Sequence, residues 1–176
     1  RLRRAHLAPL IVRAVDQSLF GYEALLRSTE KALPDPEAML HAAERLGRLP
    51  KLAHRVWAAT ATSFVGAEEH ALLFVNLHAA DLTDPMLTAA SSPLVAMADR
   101  VVLEITERAS LDKVEGSHEK LTELRRLGFR LAIDDLGGGY AGLSTFSMLL
   151  PDVVKLDMSL VRDVHATAAK RKTIAE

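Results

Sequence analysis

The sequence predicts an α/β fold of the parallel-barrel type, and three observations carry that prediction. Short apolar runs of β character alternate with longer runs of helical character, the pattern of strand–helix units. The short runs are apolar throughout instead of alternating, which argues that both faces of their sheet are covered. Five of them end in a polar or charged residue, at the end where parallel barrels gather their chemistry. The 176 residues fit a single domain, given a prior of about 150 residues per domain.

Each element has its local reason. Leu7–Val15 (LAPLIVRAV) reads as a strand, and Leu19–Arg27 as a second one returning from the turn Asp16-Gln17-Ser18. A helix follows, with Asp35 as its cap, Pro36 in its first position and Gly47 near its stop. A second helix starts at Pro50 and carries Leu52, Val56 and Ala59 or Thr60 along one side. Trp57, beside Val56 and in the same helix as Phe64, reads as core. Ala71–Leu77, Arg100–Thr106 and Arg130–Asp135 are strands. Between the last two, Val114–Leu127 is helical, with Leu121, Leu124 and Leu127 on one stripe and Gly128 as C-cap. After the glycine loop LGGGYAG come a short helix (LSTFSMLL), a strand (VVKL) and a last helix for which Ser159 is the expected cap.

Composition excludes several classes. Net charge is −1, so no basic footprint points to a nucleic-acid polymer or an anionic membrane. There is no Cys, which removes disulfide scaffolds, cysteine zinc sites, iron–sulfur clusters and thiol catalysis and fits a cytoplasmic location. No apolar run approaches the roughly 18 residues needed to cross a bilayer; the charge-free stretch Pro85–Ala98 is broken by Pro93 and two serines. The basic start RLRRAH before an apolar run has the outline of a signal peptide, but Arg13 cuts the run short. The first residue is Arg1, and the expectation is one module of a larger protein.

The chemistry lies at the ends of the apolar runs. Glu23 comes after LFGY, Asn76 after ALLFV, Glu104 after VVL, Asp134 and Asp135 after LAI, and Lys155 after VV. In a parallel barrel these ends share one face. Several carboxylates cannot crowd together unpaired without large pKa penalties, and a divalent cation relieves the repulsion. An all-oxygen set suits Mg²⁺, Mn²⁺ or Ca²⁺ over Zn²⁺ or Cu²⁺. Two adjacent Asp residues are placed to serve two ions, and paired ions are a general device for phosphoester hydrolysis. Lys155 adds a cation for the attacking water or the phosphate oxygens. Each residue also has a plainer reading. Asn76 fits a turn, Lys155 a surface charge at a strand end, and Asp134-Asp135 a turn with an Asx cap, but these leave the shared face unexplained. Gly137-Gly138-Gly139 does not match GxGxxG, so a dinucleotide fold is weakly supported; the glycines read better as close backbone approach to a ligand or a neighbouring loop. His78 reads as a peripheral residue.

The ordered set GYEALLR, FVNLH, LEITER, AIDDLGGGYAGLS and PDVVKLD resembles the EAL domains, the cyclic di-GMP phosphodiesterases. The triplet Glu23-Ala24-Leu25 alone is weak; the set in order is specific, and the resemblance runs from about Leu7 to the end of the chain. It implies a TIM-like (β/α) barrel over residues 1–176, and hydrolysis of cyclic di-GMP to linear pGpG with two Mg²⁺ or Mn²⁺ ions, Ca²⁺ inhibiting. By position, it implies that Glu23, Asn76, Glu104 and Asp134 are metal ligands and that Asp135 belongs to the second metal. It further implies that Lys155 lies near the hydrolytic water, Arg27 holds a substrate phosphate, Leu25 lies against the substrate, and Glu107 steadies the loop after the Asp pair. That loop, Leu136–Leu143, links metal binding to dimerisation in the family, so a homodimer is an expectation.

Two departures stand out. Leu136 and Gly138 replace the Phe and Thr usual in the family's loop, mild changes. The family's later motifs, a glutamate in an AEGVE-like strand end and a glutamine in a QGY-like one, do not precede Glu176. The expectation is therefore a barrel lacking its last strands. Two other functions stay open from the sequence: an inactive EAL-like receptor or interaction module, and a barrel enzyme that enolises a carboxylate substrate.

Overall fold

The structure, a computed structural model, describes residues 6–28, 30–33, 35–107, 109, 111–137 and 142–175. Strands β1 (His6–Val12) and β2 (Leu19–Leu25) form an antiparallel hairpin. Asp16 Oδ1 holds the turn by accepting from Ser18 N at 2.9 Å and Ser18 Oγ at 2.7 Å. The first strand ends three residues before the predicted Val15, because the turn already closes at Arg13, whose N–H donates to Ser18 O.

From β2 onward every pairing is parallel. The sheet runs β1-β2-β3-β4-β5-β6, with β3 at Leu72–Asn76, β4 at Val101–Thr106, β5 at Arg130–Leu136 and β6 at Val153–Leu156. Parallel neighbours require crossovers. Helices α1 (Pro36–Arg45) and α2 (Leu49–Phe64) connect β2 to β3. Three 3₁₀ turns (Ala79–Thr83, Pro85–Leu87, Val95–Arg100) connect β3 to β4 in the stretch where the sequence predicted no element. Helix α3 (Ser117–Arg126) connects β4 to β5, and α4 (Gly142–Leu149) connects β5 to β6; α5 (Met158–Val161) and α6 (Ala168–Ala175) follow. Neighbours in sequence are neighbours in space, as in a barrel wound in one direction.

The caps follow the sequence with two exceptions. Asp35 Oδ1 accepts from Ala38 N at 2.8 Å with Pro36 at the start of α1. Gly128 takes φ +104 just past α3, a conformation that favours glycine. Helix α3 begins later than predicted because Gly116, at φ 69, breaks the run before Ser117. The cap of α5 is Asp157 instead of Ser159: Asp157 is still extended, so its carboxylate reaches Ser159 N at 2.7 Å, whereas Ser159 is already inside the helix.

Strand parity sorts the core. Leu73, Val75, Val101, Leu103, Ile105, Leu131 and Ile133 face the helices and join Trp57, Phe64, Leu121 and Leu124 in one buried cluster. The alternate residues Phe74, Val102 and Ala132 face the inside of the curved sheet, with Phe20, Ile11, Leu72 and Val153 around them. Gly21 belongs to that inner layer: a Cβ there would lie 2.5 Å from Leu72 O and 3.0 Å from the Phe74 ring. In α2 the buried face is Trp57, Thr60, Ala61 and Phe64; Leu52 and Val56 are half-buried and line a cavity instead. No helix among the described residues is long and apolar enough to cross a membrane.

Candidate metal centre

Side chains two residues apart on a strand share a face. One step toward the C-terminal ends from the inner apolar layer, the same parity selects Glu23 on β2, Asn76 on β3, Glu104 on β4, Asp134 on β5 and Lys155 on β6. Asn76 and Glu104 are direct partners across β3 and β4. The apolar layer of Phe74, Val102 and Ala132 is thus the dry floor of a polar layer.

Carboxylate oxygens of Glu23, Glu104 and Asp134 all lie within 4.8 Å of one another. The Lys155 ammonium sits among them, 2.7 Å from Glu104 Oε1, 3.1 Å from Glu23 Oε1 and 3.3 Å from Asp134 Oδ1. Residues separated by 132 positions in the chain meet here. Glu104 is the buried member, its side chain wholly out of solvent. Burial pushes its carboxyl up to about 7, against the contact and charge of Lys155, with Asp134 and Glu23 adding repulsion. The same set holds Lys155 charged well above its usual range: burial opposes the charge, and Glu104, Asp134 and Glu23 outweigh it.

Three carboxylates against one ammonium leave the group with excess negative charge. Glu104 Oε2 is buried and meets no hydrogen-bond donor among the described residues, and Oε1 has only its ionic contact with Lys155. A buried polar oxygen without a partner is costly. An all-oxygen set with an orphaned carboxylate oxygen fits a hard divalent cation such as Mg²⁺ or Mn²⁺.

Other residues singled out by the sequence lie around this cluster. Glu107 is almost wholly buried, 1% exposed. Its N–H donates to Asp134 O at 2.9 Å, and its Oε2 accepts from Gly137 N at 2.5 Å. Thr145 Oγ1 donates to Glu107 O at 3.3 Å, which ties α4 to the same point. Asp135 is exposed, has φ 56, and donates its N–H to Asp134 Oδ1 at 2.9 Å; its carboxylate lies outside the three-carboxylate group. Asn76 and Arg27 are exposed, Arg27 just beyond β2. Residues 138–141 of the expected loop lie outside the described residues. His78 caps a 3₁₀ turn, its Nδ1 accepting from Ala80 N at 3.2 Å.

Leu25 and Asn76 also line a cavity of about 600 Å³ under α1 and α2, with Leu40, Leu52, Val56 and Trp57 on its apolar wall. Asp81, on that wall, went unnoticed in the sequence. Burial pushes its carboxyl up to about 6, while Oδ2 accepts from His78 N at 2.9 Å. The three-residue spacing of a capping box, His78 to Asp81, was the available signal.

Comparison with known proteins agrees with this geometry. The model of a family described as "EAL domain" matches residues 3–176. An uncharacterized signaling protein of Caulobacter vibrioides is 32% identical over 180 residues, covering 96% of this chain and 22% of that protein. The probable cyclic di-GMP phosphodiesterase PdeA of Escherichia coli is 41% identical over 64 residues, 36% of this chain and 9% of that protein. The manganese and cyclic di-GMP complex of BlrP1 from Klebsiella pneumoniae at pH 6 superposes with a TM-score of 0.77 at 31% identity, covering 94% of this chain and 43% of that chain. The chain thus spans about a fifth of the first of these relatives and less of the second.

Proposed function

Because the chain belongs to the EAL domain family, we propose that it is a metal-dependent phosphodiesterase domain that hydrolyses cyclic di-GMP to linear pGpG. The observation that carries this reading is the Glu23–Glu104–Asp134 group around Lys155, with one buried carboxylate oxygen lacking a donor. The relative named as a probable cyclic di-GMP phosphodiesterase and the structural neighbour holding manganese and cyclic di-GMP support the choice of substrate. Residues 1–176 are read as one barrel domain.

In this reading Glu23, Asn76, Glu104 and Asp134 hold one ion, and Asp135 serves a second. When bound, the ions supply hydroxide at neutral pH and neutralise phosphate charge. Water adds at phosphorus, the bond from phosphorus to the ribose 3′ oxygen breaks, and that oxygen takes up a proton, which leaves a 5′ phosphate on pGpG. Lys155, held charged at the centre of the group, steadies the attacking water or a phosphate oxygen. Arg27 clamps a phosphate with two N–H donors, and Leu25 packs against the nucleotide. Glu107 fixes the chain after the Asp pair. A cytoplasmic location and a homodimer contacting through the loop after Asp135 complete the reading.

The test is turnover of cyclic di-GMP by the protein with Mn²⁺, Mg²⁺ or EDTA. Metal-dependent release of pGpG is expected. Tight binding of intact cyclic di-GMP without turnover would replace the enzyme with a receptor of the same ligand.

A further inference from the structure

We propose that Leu160, on the short helix α5, is a positioning residue for the Asp134–Asp135 corner and acts on it through Gly137. The inference rests on reading that corner as part of the metal site.

The ladder holds only part of the corner: on the β4 side the pairing is regular as far as Thr106 with Asp134, and Asp135 lies beyond it. The pairing of β5 with β6 is regular through Ile133 with Val154 and resumes at Leu136 with Leu156, with a register shift between. Asp134 and Asp135 occupy the shift, and Asp135 takes φ 56. A bulged segment loses regular ladder bonds, so its position depends on whatever grips it next. The grip falls on Gly137. Glu107 Oε2 accepts its N–H at 2.5 Å. Leu160 lies flush on its α-carbon: a Cβ at Gly137, where φ is +95, would overlap Leu160 Cδ1 and come 2.8 Å from Cγ.

Leu160 is itself fixed. Asp157 N donates to Leu136 O at 3.0 Å and Leu160 N to Asp157 O at 3.0 Å. The Asp157 carboxylate caps Ser159 N at 2.7 Å, and Lys170 Nζ holds Ser159 O at 2.7 Å. Helix α5 therefore presses one leucine against the residue two places after Asp135. A charged acceptor and an apolar side chain grip the same residue, and removing either lets the bulge relax away from Glu104 and Glu23.

Mn²⁺ affinity and melting temperature of purified protein, measured without substrate, test this. Leu160→Ala is expected to bind Mn²⁺ about tenfold more weakly, the range found when residues supporting metal ligands are lost. Leu160→Met, which refills the space with a flexible side chain, is expected to recover most of that affinity. Leu127→Ala, at the opposite end of β5 and packed on the same core, is expected to lower the melting temperature comparably and leave Mn²⁺ affinity unchanged. Wild-type affinity in Leu160→Ala, or an equal loss in Leu127→Ala, would overturn the inference. Where Leu160→Ala does not fold, Leu160→Val is read in its place, with the same direction expected. Failure of the wild-type protein to bind Mn²⁺ defeats the metal reading itself, a result distinct from a wild-type protein that binds and a Leu160 variant that matches it.

Discussion

The two halves of the candidate metal centre are built by different means. Glu23, Asn76 and Glu104 stand on regular parallel strands, in unbroken register from Gly21–Leu72 to Asn76–Glu104. Asp134 and Asp135 stand at a register shift between β5 and β6. On the first half, backbone ladder bonds place the side chains throughout. On the second, the ladder with β4 ends at Thr106 and Asp134, and the side chains of Glu107, just past β4, and of Leu160 on α5 grip the backbone beyond it. A ladder tolerates the loss of any one side chain; a clamped bulge depends on each clamp.

The regular half gives the largest expected effect. Glu104→Gln keeps the shape of the most buried carboxyl of the cluster and removes its charge. Turnover should fall about a hundred- to a thousandfold, as for loss of a group that acts directly on the reacting charge. The metal-free protein should nevertheless become more stable, because burying the carboxylate costs more than its contact with Lys155 returns. Loss of turnover together with a lower melting temperature would mean that Glu104 is structural, and the contrast between the halves would break.

Acidity separates the halves further. The Glu104 carboxyl rises from its ordinary 4.5 to about 7 on folding, chiefly through burial. A raised carboxyl pKa gives stability that is full below the unfolded value and lost as pH rises through the folded one. Each tenfold change in proton affinity is worth about 1.4 kcal/mol, so metal-free protein should lose up to about 3 kcal/mol between roughly pH 4.5 and 7.5. Denaturant midpoints measured in EDTA across this range check the slope. Glu104→Gln should flatten it, while Asp135→Asn, on the exposed corner, should not. Stabilisation by added Mn²⁺ should grow over the same interval, since the ion requires the carboxylate that the proton otherwise occupies.

The contrast also explains what could be read from the sequence. Strand parity and apolar runs are local properties, and they placed Glu23, Asn76, Glu104, Asp134 and Lys155 at the right ends of the right strands. Their convergence comes from register, which alternation and crossover length constrain strongly. Nothing local announced that the Asp135 carboxylate lies outside the three-carboxylate group, because a bulge depends on the partner strand. The contact of Leu160 with Gly137 is equally tertiary. Serine is a good cap by type, and only the extended backbone at Asp157 decides that the cap falls two residues before Ser159. The 3₁₀ turns across Ala79–Arg100 were hidden for a related reason: the first two are closed by the side chains of Asp81 and Asp84, the third has no side-chain cap, and none has a periodic pattern of its own.

Glu107 joins the halves and gives the smallest of these effects. It lies just past the regular strand β4, while its bonds go to the bulged corner: its N–H to Asp134 O, its Oε2 from Gly137 N. Glu107→Ala removes the acceptor and leaves Gly137 N–H without it, so Mn²⁺ affinity should fall about ten- to a hundredfold. Glu107→Gln keeps an oxygen within reach of the same N–H and loses only its charge. Charged acceptors form hydrogen bonds roughly twice as strong as neutral ones, so the amide should lose only part of what alanine loses. Calorimetric titration of Mn²⁺ into the three proteins orders them. Equal affinity in all three would mean that the bulge is held by its own backbone, and the clamped half would then be no different in kind from the laddered one.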